Sequence, residues 1–188
     1  MGKLLVVTTG ATATFRPLIA ATLDAKFLRG IVKLGYNRMV VQYGTEVPIS
    51  RQFYENCVAQ LAELKYIGVD VGSSRLEHYK LVVEGIPYDP QFVERFVKLA
   101  DLVVSHGGTG SILDALRLEK KLVVVINESL MDNHQLEIAE AFSNIGVLVY
   151  ASDVNELLEK VHEVENTTMA KLGPSVGGMV EKVILQEL

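Results

Sequence analysis

The sequence predicts an α/β fold, a Rossmann-like parallel sheet with helices on both faces, and three observations carry that prediction. The strand-like runs Leu4–Thr8, Arg38–Tyr43, Asp101–Ser105 and Lys121–Ile126 are nearly continuous in Val, Leu and Ile rather than alternating, as in strands buried on both sides. Segments with helical periodicity separate them, as parallel crossovers require. Gly107-Gly-Thr-Gly110 follows one of those runs directly and opens a helix. Ligands of such sheets bind beyond the carboxyl ends of the strands. The turns after Leu4–Thr8, Asp101–Ser105 and Lys121–Ile126 are therefore expected on one edge.

In order, Leu4 to Thr8 is the first strand and ends at Gly10, and Ala11 to Thr14 is a polar loop. Phe15 to Leu34 reads as one helix, with Pro17 in its first turn and Gly35 as its stop. Arg38 to Tyr43 is a strand and Gln52 to Leu64 a helix. Lys65 to Val71 and Tyr79 to Glu84 are extended, with Gly72-Ser73-Ser74 turning between them. Pro87 to Pro90 precede a helix at Gln91 to Leu99. After the glycine loop come a helix, the strand Lys121–Ile126, a polar loop and another helix. Val147 to Tyr150 is a strand, and a helix runs from about Ser152 to Val161, with Ser152 as N-cap but no full capping box. Val176, Met179, Val180, Val183, Ile184 and Leu188 recur at helical spacing, so 174–188 is expected as a terminal helix. The 188 residues suit a single domain, 1–188.

Bulk properties exclude several classes. With 49% hydrophobic and 22% charged residues the chain is not of disordered type. A net charge of -5 gives no reason to expect nucleic acid. The one cysteine, Cys57, excludes an internal disulfide and fits a reducing compartment. No apolar run approaches the roughly 20 residues of a membrane helix. The apolar start is too short for a signal peptide, and Val6 stands where a myristoylation motif wants Ser or Thr.

The chemistry concentrates between Asp101 and Gln135. Gly107, Gly108 and Gly110, with Thr109 and Ser111, bring backbone amides to the positive end of a helix, where phosphate binds; a plain glycine turn is an equally good reading of the same residues. Asp114, one turn in, can accept two ribose hydroxyls, although an acid near a helix start is commonplace. Asp132, Asn133, His134 and Gln135 crowd four hydrogen-bonding side chains before a helix, as a polyhydroxylated sugar requires, and capping explains one of them rather than four. Thr9, Gly10 and Thr12 lie at the first strand end, suited to phosphate or acceptor or to a simple turn. The glycines lack the third member of the dinucleotide fingerprint, and no Walker loop occurs. Gly173-Pro-Ser175-Val-Gly177 fits a hydrolase elbow literally, but it follows no strand and no histidine comes after it. The histidines and the cysteine have no metal-ligand spacing.

Ser105-His-Gly-Gly-Thr-Gly-Ser111-Ile-Leu-Asp114 and Asn127-Glu-Ser-Leu-Met-Asp132-Asn-His-Gln135 closely resemble the catalytic subunit of the eukaryotic N-acetylglucosaminyltransferases that make chitobiosyl-diphosphodolichol, the fungal members above all. Thr8-Thr-Gly-Ala-Thr12 and Phe15 agree with that family's first loop. Gly107 stands where the family often has alanine, and Ala13-Thr14 departs from its usual loop. The resemblance is densest from Asp101 to Ala141 and weak beyond Tyr150.

The resemblance implies the donor-binding half of a GT-B glycosyltransferase, related to the bacterial enzyme that forms lipid II. It implies UDP-N-acetylglucosamine as donor, with the diphosphate at Gly107 to Ser111, the ribose on Asp114 and the sugar hydroxyls on His134 and Gln135. His134 is the candidate contributor to catalysis, and no catalytic base stands out. No cofactor and no metal is expected. A membrane-anchored subunit is expected to supply the acceptor half, as a heterodimer at the cytosolic face of the endoplasmic reticulum, with the terminal helix as candidate contact; no nucleic acid or direct membrane insertion is expected. Two rival readings stand beside it. One is a non-catalytic nucleotide-binding regulatory module. The other is a Rossmann-type oxidoreductase with Glu128 on the ribose.

Overall fold

The computed structural model describes residues 2–10, 14–45, 47–63, 68–69, 75–78, 81–126 and 133–172. The predicted turn at Gly72–Ser74, the hydrolase-like phrase at Gly173–Gly177 and the terminal helix at 174–188 lie outside the described residues.

Eight strands form one sheet: β1 (Lys3–Thr8), β2 (Tyr36–Gln42), β3 (Gly68–Val69), β4 (Arg75–His78), β5 (Leu81–Ile86), β6 (Leu102–Ser105), β7 (Lys121–Val125) and β8 (Val149–Ala151). Their order is β3-β4-β5-β2-β1-β6-β7-β8. The run from β5 to β8 is parallel, as expected. The sheet then departs from expectation, because β4 pairs antiparallel with β5, and β3 with β4. The physical reason shows in β5, where Leu81 and Val83 are buried while Val82 and Glu84 are half-exposed. A strand with one open face suits an antiparallel neighbour.

Seven helices connect these strands among the described residues: α1 (Arg16–Thr22), α2 (Ala25–Lys33), α3 (Val47–Glu63), α4 (Phe92–Arg95), α5 (Thr109–Arg117), α6 (Asn133–Asn144) and α7 (Leu157–Asn166). The single helix expected over Phe15 to Leu34 is two. Asp24 separates them, its carboxylate accepting from the amides of Lys26 (2.7 Å) and Phe27 (3.3 Å) to cap α2. α3 begins at Val47 rather than Gln52, and the helix expected at Gln91–Leu99 is α4 followed by a 3-10 turn, Val97–Leu99. Ser152 is not a helix cap: its hydroxyl bonds Glu156 (3.1 Å), and Asp153 caps a 3-10 turn ahead of α7 instead.

Strand alternation divides the core in two. Leu5, Val7, Met39, Val41, Leu102, Val104, Val123 and Val125 pack with α1, α2, α3 and α7 on one face. Leu4, Val6, Val40, Val103, Leu122 and Val124 pack with α4, α5 and α6 on the other. Each such side chain, fully buried, contributes on the order of 2 kcal/mol. At the amino end of the sheet Glu165 of α7 draws three strands together. It accepts from Lys3 (2.8 Å), Lys121 (3.2 Å) and the Tyr36 hydroxyl.

Candidate functional site

The carboxyl end of the sheet is built differently. β1, β2 and β6 finish on polar residues that stand in register, Gln42 beside Thr8 and Thr8 beside Ser105. All three are buried. Alternation places them on the face of Val40, Val6 and Val103, beneath the start of α5. In each strand a glycine follows two residues on, and each has a positive φ: 110° at Gly44, 78° at Gly10 and 92° at Gly107. The strands thus end in the same kind of turn. Two hydroxyls brace these turns, Thr8 Oγ1 accepting from the Gly10 amide (3.3 Å) and Ser105 Oγ from the Gly107 amide (3.4 Å). Thr9 Oγ1 donates to the carbonyl of Gln42 (2.9 Å).

Gly107 passes close to β7, and a methyl placed on it would lie 3.3 Å from the Ile126 side chain. Gly108, with φ −64°, is the N-cap of α5 and offers no side-chain cap. The first amide to bond back along α5 is that of Ile112, to Gly108 O at 3.1 Å. The amides of Gly110 and Ser111 precede it, at the positive end of the helix. Gly110 is exposed; Thr109 and Ser111 are half-buried. Asp114 lies in the second turn of α5, half-buried. Thr9, Gly10, Gly107, Gly108, Thr109, Gly110 and Ser111 are therefore gathered at one edge. Asn133, His134 and Gln135 open α6, the helix after β7, with Gln135 half-buried. Thr12, Glu128 and Asp132 lie outside the described residues, as do the side chains of Asn133 and His134.

One residue absent from the sequence-derived site stands at its centre. The His106 imidazole sits between Gly10 and Gly108; a methyl on either glycine would come within 2.4 or 2.5 Å of Nε2. Its amide donates to Thr8 O (3.1 Å). Burial pushes its pKa below the ordinary value, and attraction of the ring to the Thr8 backbone only partly opposes this, so the neutral form is favoured at pH 7. Its Nδ1 is buried without a hydrogen-bond partner among the described residues, as are Gln42 Nε2 and Thr14 Oγ1. Thr14 belongs to the same edge, since a methyl on Gly44 would lie 2.8 Å from its hydroxyl. An unpartnered buried polar atom costs about 1–3 kcal/mol, and these three share one edge. A sequence signal for this exists: three strands ending polar-x-Gly, at Thr8, Gln42 and Ser105.

A cavity of about 450 Å³ lies at the opposite end, lined by Leu116, Glu119, Lys121, Glu165 and Lys171 among others. Its three lysines are already engaged, Lys121 with Glu165, Lys171 with Glu119 (2.6 Å) and Lys120 with the carbonyl of Lys98 (2.7 Å). The site is accordingly assigned to the strand ends.

Comparison with known proteins shows the family and the fold. The UDP-N-acetylglucosamine transferase subunit ALG13 of Kluyveromyces lactis is 36% identical, covering 98% of this chain and 97% of its own. The protein of the same description from Saccharomyces cerevisiae is 37% identical over 77% of this chain and 75% of its own. The NMR solution structure of ALG13 superposes with a TM-score of 0.71 at 27% identity, covering 95% of both chains. MurG of Acinetobacter baumannii shares the fold, with a TM-score of 0.55 at 12% identity, across 100% of this chain and 50% of its own. These likenesses show a Rossmann-like sheet of the GT-B kind. The model of the glycosyltransferase family 28 C-terminal domain matches residues 4–175, and the chain belongs to that family.

Proposed function

We propose that this chain is the donor-binding subunit of an inverting glycosyltransferase. It moves N-acetylglucosamine from UDP to the 4-hydroxyl of N-acetylglucosaminyl-diphosphodolichol, the second step in building the lipid-linked oligosaccharide for N-glycosylation. The observation that carries this reading is the junction of three polar strand ends with the uncapped start of α5, closed by a neutral imidazole. Membership of a glycosyltransferase family favours it over a regulatory nucleotide module or an oxidoreductase. Relatives described as UDP-N-acetylglucosamine transferase subunits support this donor and a partner chain.

In this reading the diphosphate lies against Gly107 to Ser111. Negative charge grows on the leaving UDP in the transition state, and amides already oriented at the start of α5 stabilise it; one such donor is worth about 3 kcal/mol. His106 adds a neutral hydrogen-bonding group beside them. Asp114 takes the ribose hydroxyls. Asp132, Asn133, His134 and Gln135 surround the sugar, and Thr9, Gly10 and Thr12 face the phosphate or the acceptor. The helix start takes the electrostatic part a divalent metal would otherwise play, so no metal is required.

The acceptor half comes from a second subunit, which also brings the base that deprotonates the acceptor hydroxyl. Among the described residues no helix is long and apolar enough to cross a membrane. In this reading the second subunit is the membrane anchor, and the segment 174–188 is the candidate contact by which it holds this chain at the cytosolic face of the endoplasmic reticulum. The test is transfer from UDP-N-acetylglucosamine to the lipid acceptor by the reconstituted pair. Asp114→Ala and His134→Ala are expected to abolish product while circular dichroism stays that of the folded chain. Full activity in both variants would refute the assignment.

A further inference from the structure

We infer that Gln42 is a positioning residue for donor binding: its side-chain amide, acting through the Thr8 hydroxyl, holds the Gly10 turn against His106. The inference rests on the reading of this edge as the donor site.

Gln42 is chemically out of place. It closes a strand whose preceding residues, Met39, Val40 and Val41, are fully buried and apolar, and it is itself only 2% exposed. Its Nε2 has no partner. An unbranched apolar side chain would fill the same volume without that unpaired donor. What the amide does make is specific. Its Oε1 accepts from Thr8 Oγ1 (3.2 Å), which fixes the direction of the Thr8 proton. That leaves the Thr8 lone pairs facing the Gly10 amide, which donates to them at 3.3 Å. The carbonyl of Gln42 holds the next residue, Thr9, through its hydroxyl. Gly10 then lies directly on the His106 ring. The relay runs Gln42, Thr8, Gly10, His106, so Gln42 acts on the edge through other residues.

The test uses the full chain, with UDP as probe in titration calorimetry and amide hydrogen exchange at Gly10. Gln42→Met keeps the length of the side chain and removes the amide. It is expected to speed exchange at Gly10 and weaken UDP about tenfold, the usual weight of one neutral hydrogen bond. Its melting temperature is expected to stay close to that of the wild type, because the unpaired Nε2 leaves with the amide while the buried Thr8 hydroxyl loses its acceptor. Thr8→Val is expected to weaken UDP to the same degree, and Thr8→Ser, which keeps the hydroxyl, to bind as wild type. The double variant Gln42→Met/Thr8→Val is expected to bind no more weakly than the poorer single variant, since both cut one relay. Wild-type UDP affinity in Gln42→Met, losses that multiply in the double variant, or affinity that falls only in step with melting temperature would each overturn the inference. A wild-type chain that does not bind UDP would sink the donor-site reading instead, while exchange at Gly10 still decides the relay.

Discussion

The imidazole of His106 ties together two loops that are almost a hundred positions apart in sequence. Gly10 and Gly108 both lack a side chain where the ring stands, but for different conformational reasons. Gly10 has a positive φ that disfavours any substitution, whereas Gly108 at φ −64° is open to every residue. Gly108→Ala thus isolates contact with the ring. We expect it to fold normally, to displace the imidazole and to weaken UDP about tenfold in calorimetry, as loss of one oriented hydrogen bond would. The ring also has a pH signature. Its folded pKa lies below the unfolded value of about 6.5, so acid protonates the unfolded chain first. The stability this neutral ring contributes is complete above that unfolded value and declines as pH drops below it toward the folded pKa. Denaturation of the wild type and of His106→Asn across that range should show the slope in the former and a flatter profile in the latter. The sequence contains His106, but its burial depends on Gly10 approaching from another strand, which no local pattern encodes.

The parallel strands and the glycine turn were legible because each has a local cause: apolar Leu and Val runs for β1, β6 and β7, and Gly107-Gly-Thr-Gly110 for the entry to α5. The break between α1 and α2 was not, because Ile19, Leu23, Phe27 and Ile31 recur every four residues across it. What breaks the helix is one polar side chain, Asp24, capping the second half. Asp24→Ala should destabilise the chain by about 1 kcal/mol in denaturant unfolding, the usual worth of such a cap. The antiparallel edge of β3 and β4 was equally hidden, since half-exposure of β5 is a tertiary property. α2 also meets α7 closely: a methyl on Gly30 would lie 2.4 Å from Leu158 Cδ1. That approach keeps the two helices on one face of the sheet, behind the ends of β1 and β7 that carry the site. The start of α6 places Asn133, His134 and Gln135 directly after β7, where the sequence put a polar loop and a helix.

The two ends of the sheet divide the work of the molecule. At the carboxyl end, three polar atoms are buried without partners among the described residues, so that end gives up stability where the donor is proposed to bind. At the amino end, Glu165 gathers Lys3 of β1, Tyr36 of β2 and Lys121 of β7 onto α7. Burial raises the Glu165 pKa, but hydrogen bonds from Lys3, Tyr36 and Lys121 outweigh it and hold the carboxylate below its usual range. The sign follows from that depression. This contribution to stability is complete above the unfolded pKa of about 4.3 and is lost as pH falls through the folded one. Glu165→Ala removes the acceptor of the buried Tyr36 hydroxyl as well as both ion pairs. It should lower stability by about 1–3 kcal/mol at neutral pH, chiefly through the unsatisfied hydroxyl, because the two lysines are partly solvated. It should also remove that acid-dependent part of the unfolding profile. The same variant should bind UDP as the wild type does, because Glu165 acts at the opposite end of β1 and β7 from the proposed donor loops. A fall in UDP affinity on removing Glu165, at a temperature where the variant is still folded, would show that the two ends are coupled and that the sheet does not separate stability from binding.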